Sequence, residues 1–75
     1  MKSAMRMLVA EILNCPPGAI TAKSALGVDP RWDSMAQLNI MLALEERYGV
    51  EITDETIRQF SRFDALEALE ASRTA

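Results

Sequence analysis

The chain has 75 residues, of which 49% are hydrophobic and four are aromatic, and its net charge at neutral pH is −3. This length predicts one domain, spanning residues 1–75, and leaves no room for a deep catalytic cleft built around its core. The sequence has no histidine and a single cysteine, which excludes a histidine-based catalytic triad, a zinc site and an internal disulfide. We therefore expect a protein that is not an enzyme and holds no metal.

The charge is divided unevenly between the two halves of the chain. Residues 1–32 carry four basic and two acidic side chains, whereas residues 33–75 carry nine acidic side chains and four arginines. An acidic second half disfavours nucleic acid, since binding to phosphates needs a basic surface, and it favours a basic protein partner. No apolar stretch is long enough to predict a membrane span or a signal core. These features predict a cytoplasmic monomer that binds neither nucleic acid nor membranes.

The first predicted helix runs from about Lys2 to Asn14, because its apolar residues recur at helical spacing. The segment Pro16-Pro17-Gly18 ends it. A connection from about residue 19 to residue 33 follows, and a connection this long in so small a domain is usually functional. Three apolar residues are expected to anchor it internally: Ile20, Leu26 and Val28.

The second predicted helix starts at Asp33-Ser34 and runs to Tyr48. Asp33 is suited to cap its first turn, and Gly49 is suited to end it in the left-handed conformation. Its apolar side chains cover an arc of roughly 220°, whereas a surface helix needs an apolar face of only about 100°. The helix is therefore either central in the bundle or exposes apolar residues to a partner, and both can hold.

Two further helices complete the prediction. The third spans about Asp54 to Phe60 with Thr53 as its cap, and the fourth spans about Arg62 to Ser72 with Ser61 as its cap. The expected fold is all-α, a small four-helix bundle of three main helices and one short helix, with a long loop between helices 1 and 2. Six apolar residues are expected to form the common core: Leu8, Ile12, Leu38, Leu42, Ile52 and Leu66.

The candidate site is Ser34. Its hydroxyl follows a long loop and lies beside Asp33 at a predicted helix N-terminus, where unpaired amides and the helix dipole stabilise a phosphate. A phosphodiester on Ser34 would fit there. For an isolated Asp-Ser pair, the alternative is a helix cap with no further role. An autonomous hydrolase is excluded because no base accompanies the serine.

The wider pattern resembles the acyl carrier protein family. It consists of Trp32-Asp33-Ser34-Met35 and the later segment Leu44-Glu45-Glu46-Arg47-Tyr48-Gly49-Val50-Glu51-Ile52, and the resemblance extends over nearly the whole chain. Met35 stands where the family motif has leucine. The resemblance implies that a phosphopantetheinyl transferase moves 4′-phosphopantetheine from coenzyme A to the Ser34 hydroxyl. Asp33 carries over as the acid beside the modified serine and as the helix cap.

The same resemblance implies that the arm holds acyl intermediates as thioesters and presents them to other enzymes. The implied partners are an acyl- or aminoacyl-loading ligase or transferase and the downstream synthases of fatty-acid, polyketide or related biosynthesis. Many family members have more acids along the motif helix, whereas here positions 36, 37, 39 and 40 carry none. This departure favours dedicated partners that use apolar contacts. The expected partner-binding residues are Met35, Asn39, Leu42, Glu45 and Glu46. For Met35, the alternative is burial in the core.

Two other functions stay open on the sequence. The nearest is an aminoacyl or peptidyl carrier of a nonribosomal-type pathway, which would share the serine, the arm and the helices. The other is a helical adaptor without a prosthetic group, in which the wide apolar arc is a docking groove. A calcium-binding hand starting at residue 29 is excluded, since Ser34 and Ile40 replace its required glycine and glutamate.

Overall fold

The structure, a computed structural model, describes residues 3–74. Four helices follow one another: α1 (Ala4–Leu13), α2 (Ser34–Tyr48), α3 (Asp54–Gln59) and α4 (Phe63–Thr74). A short 3₁₀ turn, Pro17–Ala19, begins the connection from α1 to α2. Within the described residues no strand forms, and the prediction of a small helical bundle with one short helix is confirmed. The predicted start of the first helix at Lys2 lies outside the described residues.

Local capping chemistry fixes the ends of α1 and α3. Ser3 accepts a hydrogen bond from the Arg6 amide at 3.1 Å at the start of α1, and Asn14 ends that helix with a φ of 56°. Thr53 caps α3 as predicted, because its hydroxyl accepts from the Thr56 amide at 3.0 Å while the Thr56 hydroxyl accepts from the Thr53 amide. These bonds satisfy amides that the first turn of a helix leaves unpaired.

Polar contacts hold α1 against α4 and the start of the long connection. The Glu70 carboxylate accepts from the Met5 amide at 2.8 Å and from the Ser3 hydroxyl, so α4 completes the N-terminus of α1. The Arg6 guanidinium lies 5.0 Å from the centre of the Phe63 ring, and it donates to the carbonyl oxygens of Pro17 and Ile20. One arginine thereby joins α1, α4 and the connection that leads to the site.

The hydrophobic core lies between all four helices and the connection. Its buried apolar residues are Met5, Val9, Ala10, Leu13, Ile20, Trp32, Ala36, Ile40, Met41, Leu44, Phe60, Phe63 and Leu66. Of the predicted core residues, Leu66 is fully buried, and Leu8, Ile12 and Ile52 are partly buried against the core. The core is built from aliphatic residues around three aromatic ones, Trp32, Phe60 and Phe63.

The prediction that Leu38 and Leu42 belong to the core is wrong. Their exposed fractions are 48% and 47%, whereas Ile40, Met41 and Leu44 are fully buried. The apolar arc of α2 is wider than the surface that the rest of the bundle covers. The bundle buries the part of the arc around Ile40 and Leu44 and leaves the part around Leu38 and Leu42 facing outward.

The long connection is anchored differently from the prediction. Ile20 is buried as expected, but Val28 is 69% exposed and Leu26 is also exposed, so the expectation for these two is wrong. Backbone bonds replace them as anchors, since the Leu26 amide donates to the Ser61 carbonyl at 2.8 Å. The helix α4 begins at Phe63, so its cap position is Arg62 and not the predicted Ser61, whose hydroxyl donates to the Arg58 carbonyl.

A tight turn brings the connection to the start of α2. The Trp32 amide donates to the Asp29 carbonyl at 2.9 Å, and the Arg31 guanidinium donates to both Asp29 carboxylate oxygens at 3.1 Å. These side-chain bonds and the Arg31 amide bond lower the pKa of Asp29 below its usual value. The turn directs Trp32 into the core, so that the residues after it emerge at the surface as the first turn of α2.

Candidate functional site

Ser34 is the first residue of α2, and its side chain is exposed. Asp33 caps the helix as predicted, because its Oδ1 accepts from the Ala36 amide at 2.9 Å while its carbonyl accepts from the Gln37 amide at 2.9 Å. Gly49, with a φ of 68°, ends the helix as predicted, and its amide donates to the Glu45 carbonyl. A helix of 15 residues thus presents the Ser34 hydroxyl at its N-terminal end.

The electrostatics around Ser34 fit a phosphodiester. The amides at the start of a helix point out of its N-terminus and, together with the helix dipole, favour a negative charge. Asp33 takes one of these amides for itself, and its carboxylate opposes a phosphate next to it. The side chains of Asp33 and Ser34 are both exposed, so water and salt would weaken the repulsion between the carboxylate and a phosphate on Ser34. The Ser34 hydroxyl is accessible from solvent, and the helix end behind it is suited to a negatively charged group.

A buried polar network supports the site from below. The Trp32 indole nitrogen donates to Gln37 Oε1 at 2.7 Å, and Gln37 Nε2 donates to the carbonyl oxygens of Ile57 at 3.0 Å and Phe60 at 3.2 Å. The network joins the residue two positions before Ser34, the first turn of α2 and the end of α3. Sequence reasoning missed Gln37, which it treated only as a place where an acid is lacking. The one available signal was a glutamine placed among the apolar residues of the motif helix.

An apolar cavity opens beside Ser34. Its volume is about 190 Å³. It lies between the connection, α2 and α3, and its lining residues are Leu26, Ser34, Gln37, Leu38, Met41 and Ile57. The partly exposed Leu26 and Leu38 stand at its mouth, and the buried Gln37 and Met41 form its floor. The predicted site residue is therefore next to a space that can shelter a small apolar group.

The five residues predicted to bind partners all lie exposed on α2: Met35, Asn39, Leu42, Glu45 and Glu46. Met35 is 67% exposed, which rules out its burial in the core. Together with Leu38 and Leu42 it forms an exposed apolar row, which we call the α2 apolar stripe. At 100° per residue these three side chains fall within roughly 60° of one another. Leu38 was missed as a surface residue because the sequence analysis assigned it to the core.

Negative charge flanks the α2 apolar stripe at both ends. Asp33 stands at its N-terminal end, and Glu45 and Glu46 stand near its C-terminal end. No helix within residues 3–74 is long and apolar enough to cross a membrane. The stripe is thus an exposed apolar surface bordered by acids, an arrangement typical of sites where proteins dock.

The chain is similar to known proteins over most of its length. The family described as "Phosphopantetheine attachment site" matches residues 3–69, a segment that includes α1, α2, α3 and the serine. The chain is 35% identical over 71 residues to the acyl carrier protein of Treponema pallidum. The aligned segment covers 93% of this chain and 91% of that protein. No solved structure matches the chain.

Two further relatives match over a shorter segment. The chain is 33% identical over 51 residues to the acyl carrier protein of Thermosynechococcus vestitus, covering 68% of this chain and 63% of that protein. It is 35% identical over 51 residues to the acyl carrier protein of Helicobacter pylori, covering 68% of this chain and 65% of that protein. In these two alignments the chain spans less than two thirds of the relative's length.

Proposed function

The chain belongs to the family of phosphopantetheine-dependent acyl carrier proteins, and on this premise we propose that Ser34 is the residue that carries its 4′-phosphopantetheine. The observation that supports the proposal is the exposed Ser34 hydroxyl at the first position of α2, directly after the Asp33 cap. Because the family is defined by its phosphopantetheine attachment site, we discard the alternative of a helical adaptor without a prosthetic group.

Attachment is a phosphoryl transfer at the Ser34 oxygen. The Ser34 hydroxyl loses its proton as its oxygen bonds to phosphorus, while the pyrophosphate bond of coenzyme A breaks and the nucleotide part leaves. The chain has no histidine, and we assign removal of this proton to the transferase. The first-turn amides of α2 would stabilise the negative charge of the resulting phosphodiester, and Asp33 fixes the start of the helix. When bound, the group supplies a terminal thiol that carries an acyl chain as a thioester.

The proposed cargo is an acyl intermediate of fatty-acid, polyketide or related biosynthesis. The relatives are named acyl carrier proteins, which favours acyl cargo over the amino acids or peptides of a nonribosomal-type pathway. The proposed partners are a phosphopantetheinyl transferase, a loading ligase or transferase and downstream synthases. We place their docking on the α2 apolar stripe, with Glu45 and Glu46 meeting basic residues at its edge. In this role the protein is a cytoplasmic monomer that serves as a substrate of enzymes.

Intact-mass analysis after incubation with a broad-specificity transferase and coenzyme A tests the attachment. We expect one phosphopantetheine on the wild-type chain and none on Ser34→Ala. Ser72→Ala is the matched control, because Ser72 is also an exposed serine on a helix and its hydroxyl donates to the Leu69 carbonyl. This control should load as the wild type does. A mass increase that persists in Ser34→Ala would overturn the assignment.

A further inference from the structure

Gln37 is a buried polar side chain whose hydrogen bonds connect two helices. It is 3% exposed, and both hydrogens of its side-chain amide are donated to carbonyl oxygens at the end of α3. Its oxygen accepts from the indole of Trp32. Gln37 therefore fixes the distance between α2 and α3 at the level of the first turn after Ser34.

The position of Gln37 in the cavity gives this bridge a second consequence. Gln37 and Met41 are the buried residues among those that line the cavity beside Ser34, so they form its floor. A chain that enters the cavity and continues between α2 and α3 would have to separate Gln37 from the carbonyl oxygens of Ile57 and Phe60. Buried polar groups that lose their partners are strongly disfavoured, and an apolar chain offers no replacement hydrogen bonds.

We propose that Gln37 is a specificity-determining residue that closes this cavity and so limits how much of an apolar cargo can be sheltered beside Ser34. The inference rests on the proposed attachment at Ser34. A cavity of about 150 Å³ lined by apolar side chains holds a benzene molecule. The cavity here, at about 190 Å³, has space for a saturated segment of about six to eight carbon atoms. A longer chain keeps its remaining carbons in water.

The limit can be measured by loading one protein with cargoes of increasing length. The wild-type chain is treated with a broad-specificity transferase and coenzyme A carrying a butanoyl, octanoyl or dodecanoyl thioester, and each product is verified by intact mass. Thermal melting of each loaded protein is then compared with that of the protein carrying the arm alone and with that of the unmodified protein. We expect the melting midpoint to rise from butanoyl to octanoyl and to rise no further with dodecanoyl.

Variants of Gln37 should remove the limit. In Gln37→Ala the bridge is gone and the floor recedes, so the midpoint should continue to rise from octanoyl to dodecanoyl. Gln37→Leu keeps most of the side-chain volume while removing the bridge, and it gives the same comparison if the alanine variant does not fold. Trp32→Phe removes the indole donor but leaves both bonds to α3, so it should keep the wild-type plateau. Gln59→Ala, which removes an exposed glutamine from α3, is the surface control.

Each outcome bears on the inference. A wild-type midpoint that keeps rising with dodecanoyl, or a plateau unchanged in both Gln37 variants, would refute the role of Gln37. A rise caused by the arm alone, with no dependence on cargo length, would show that the arm itself occupies the cavity and would also refute it. Absence of any mass increase would overturn the attachment at Ser34 and this inference with it, whereas the other outcomes leave the attachment intact.

Discussion

Replacing Met35 with alanine should weaken the docking of a partner enzyme without destabilising the fold. Full burial of a methionine side chain is worth about 1.5–3 kcal/mol. Because Met35 is 67% exposed in the free protein, about 1–2 kcal/mol of that is still available when a partner covers the α2 apolar stripe. The loss corresponds to roughly a 5- to 30-fold decrease in kcat/KM for loading by the transferase.

Glu46→Ala is the matched comparison, because Glu46 is exposed on the same helix near the other end of the stripe. An exposed charge pair is worth about 0.2–1 kcal/mol, so this change should lower kcat/KM by about fivefold at most. Raising the salt concentration should slow the loading of the wild-type chain only mildly, because salt screens charged contacts and leaves apolar ones intact.

The assay measures loading rates with a fluorescent coenzyme A derivative and thermal melting of the same preparations. Both variants should melt within a few degrees of the wild type, since neither residue is buried. The reasoning is refuted if Met35→Ala loads at least as fast as Glu46→Ala. It is equally refuted if the whole loss in Met35→Ala is accounted for by a smaller folded fraction.

Three further predictions concern α2. Ile40→Ala should lower the free energy of unfolding by about 2–5 kcal/mol and the melting midpoint by at least about 8 °C, whereas Leu38→Ala should lower the free energy by about 1 kcal/mol or less. Equal losses of stability in the two variants would mean that the wrong face of α2 is assigned to the core. Asp33→Asn should keep the cap and the melting midpoint but load more slowly, because asparagine caps nearly as well and lacks the charge; loading at the wild-type rate would leave Asp33 as a cap alone. Gly49→Ala should lower the free energy of unfolding by about 1–2 kcal/mol, because Gly49 has a φ of 68°, which alanine adopts only with strain. No atom crowds the position, so this cost comes from the backbone, and an unchanged melting midpoint would contradict it.

The sequence by itself determined where the helices are and how most of them end. Helix ends depend on hydrogen bonds between residues three to five positions apart, so the relevant partners are visible in the sequence. The caps predicted at Asp33, Thr53 and Gly49 all form, and α1 ends at Asn14 as expected. The position of Ser34 at the first turn of α2 follows from the same local chemistry. Its choice as the candidate site rested on the resemblance of the surrounding motif to a known family, because an Asp-Ser pair alone predicts only a cap.

The tertiary structure decided which part of the apolar arc of α2 is buried. Helical periodicity shows how wide the arc is, but the part that is covered depends on where the other helices lie, and this placed Leu38 and Leu42 outside the core. Gln37 is a second case, because its partners are carbonyl oxygens 20 and 23 residues along the chain. A polar residue in a helix sequence is expected at the surface until the fold supplies partners that satisfy it in the interior. The sequence therefore located Ser34 as the candidate site, and only packing across the bundle formed the cavity beside it and its polar floor.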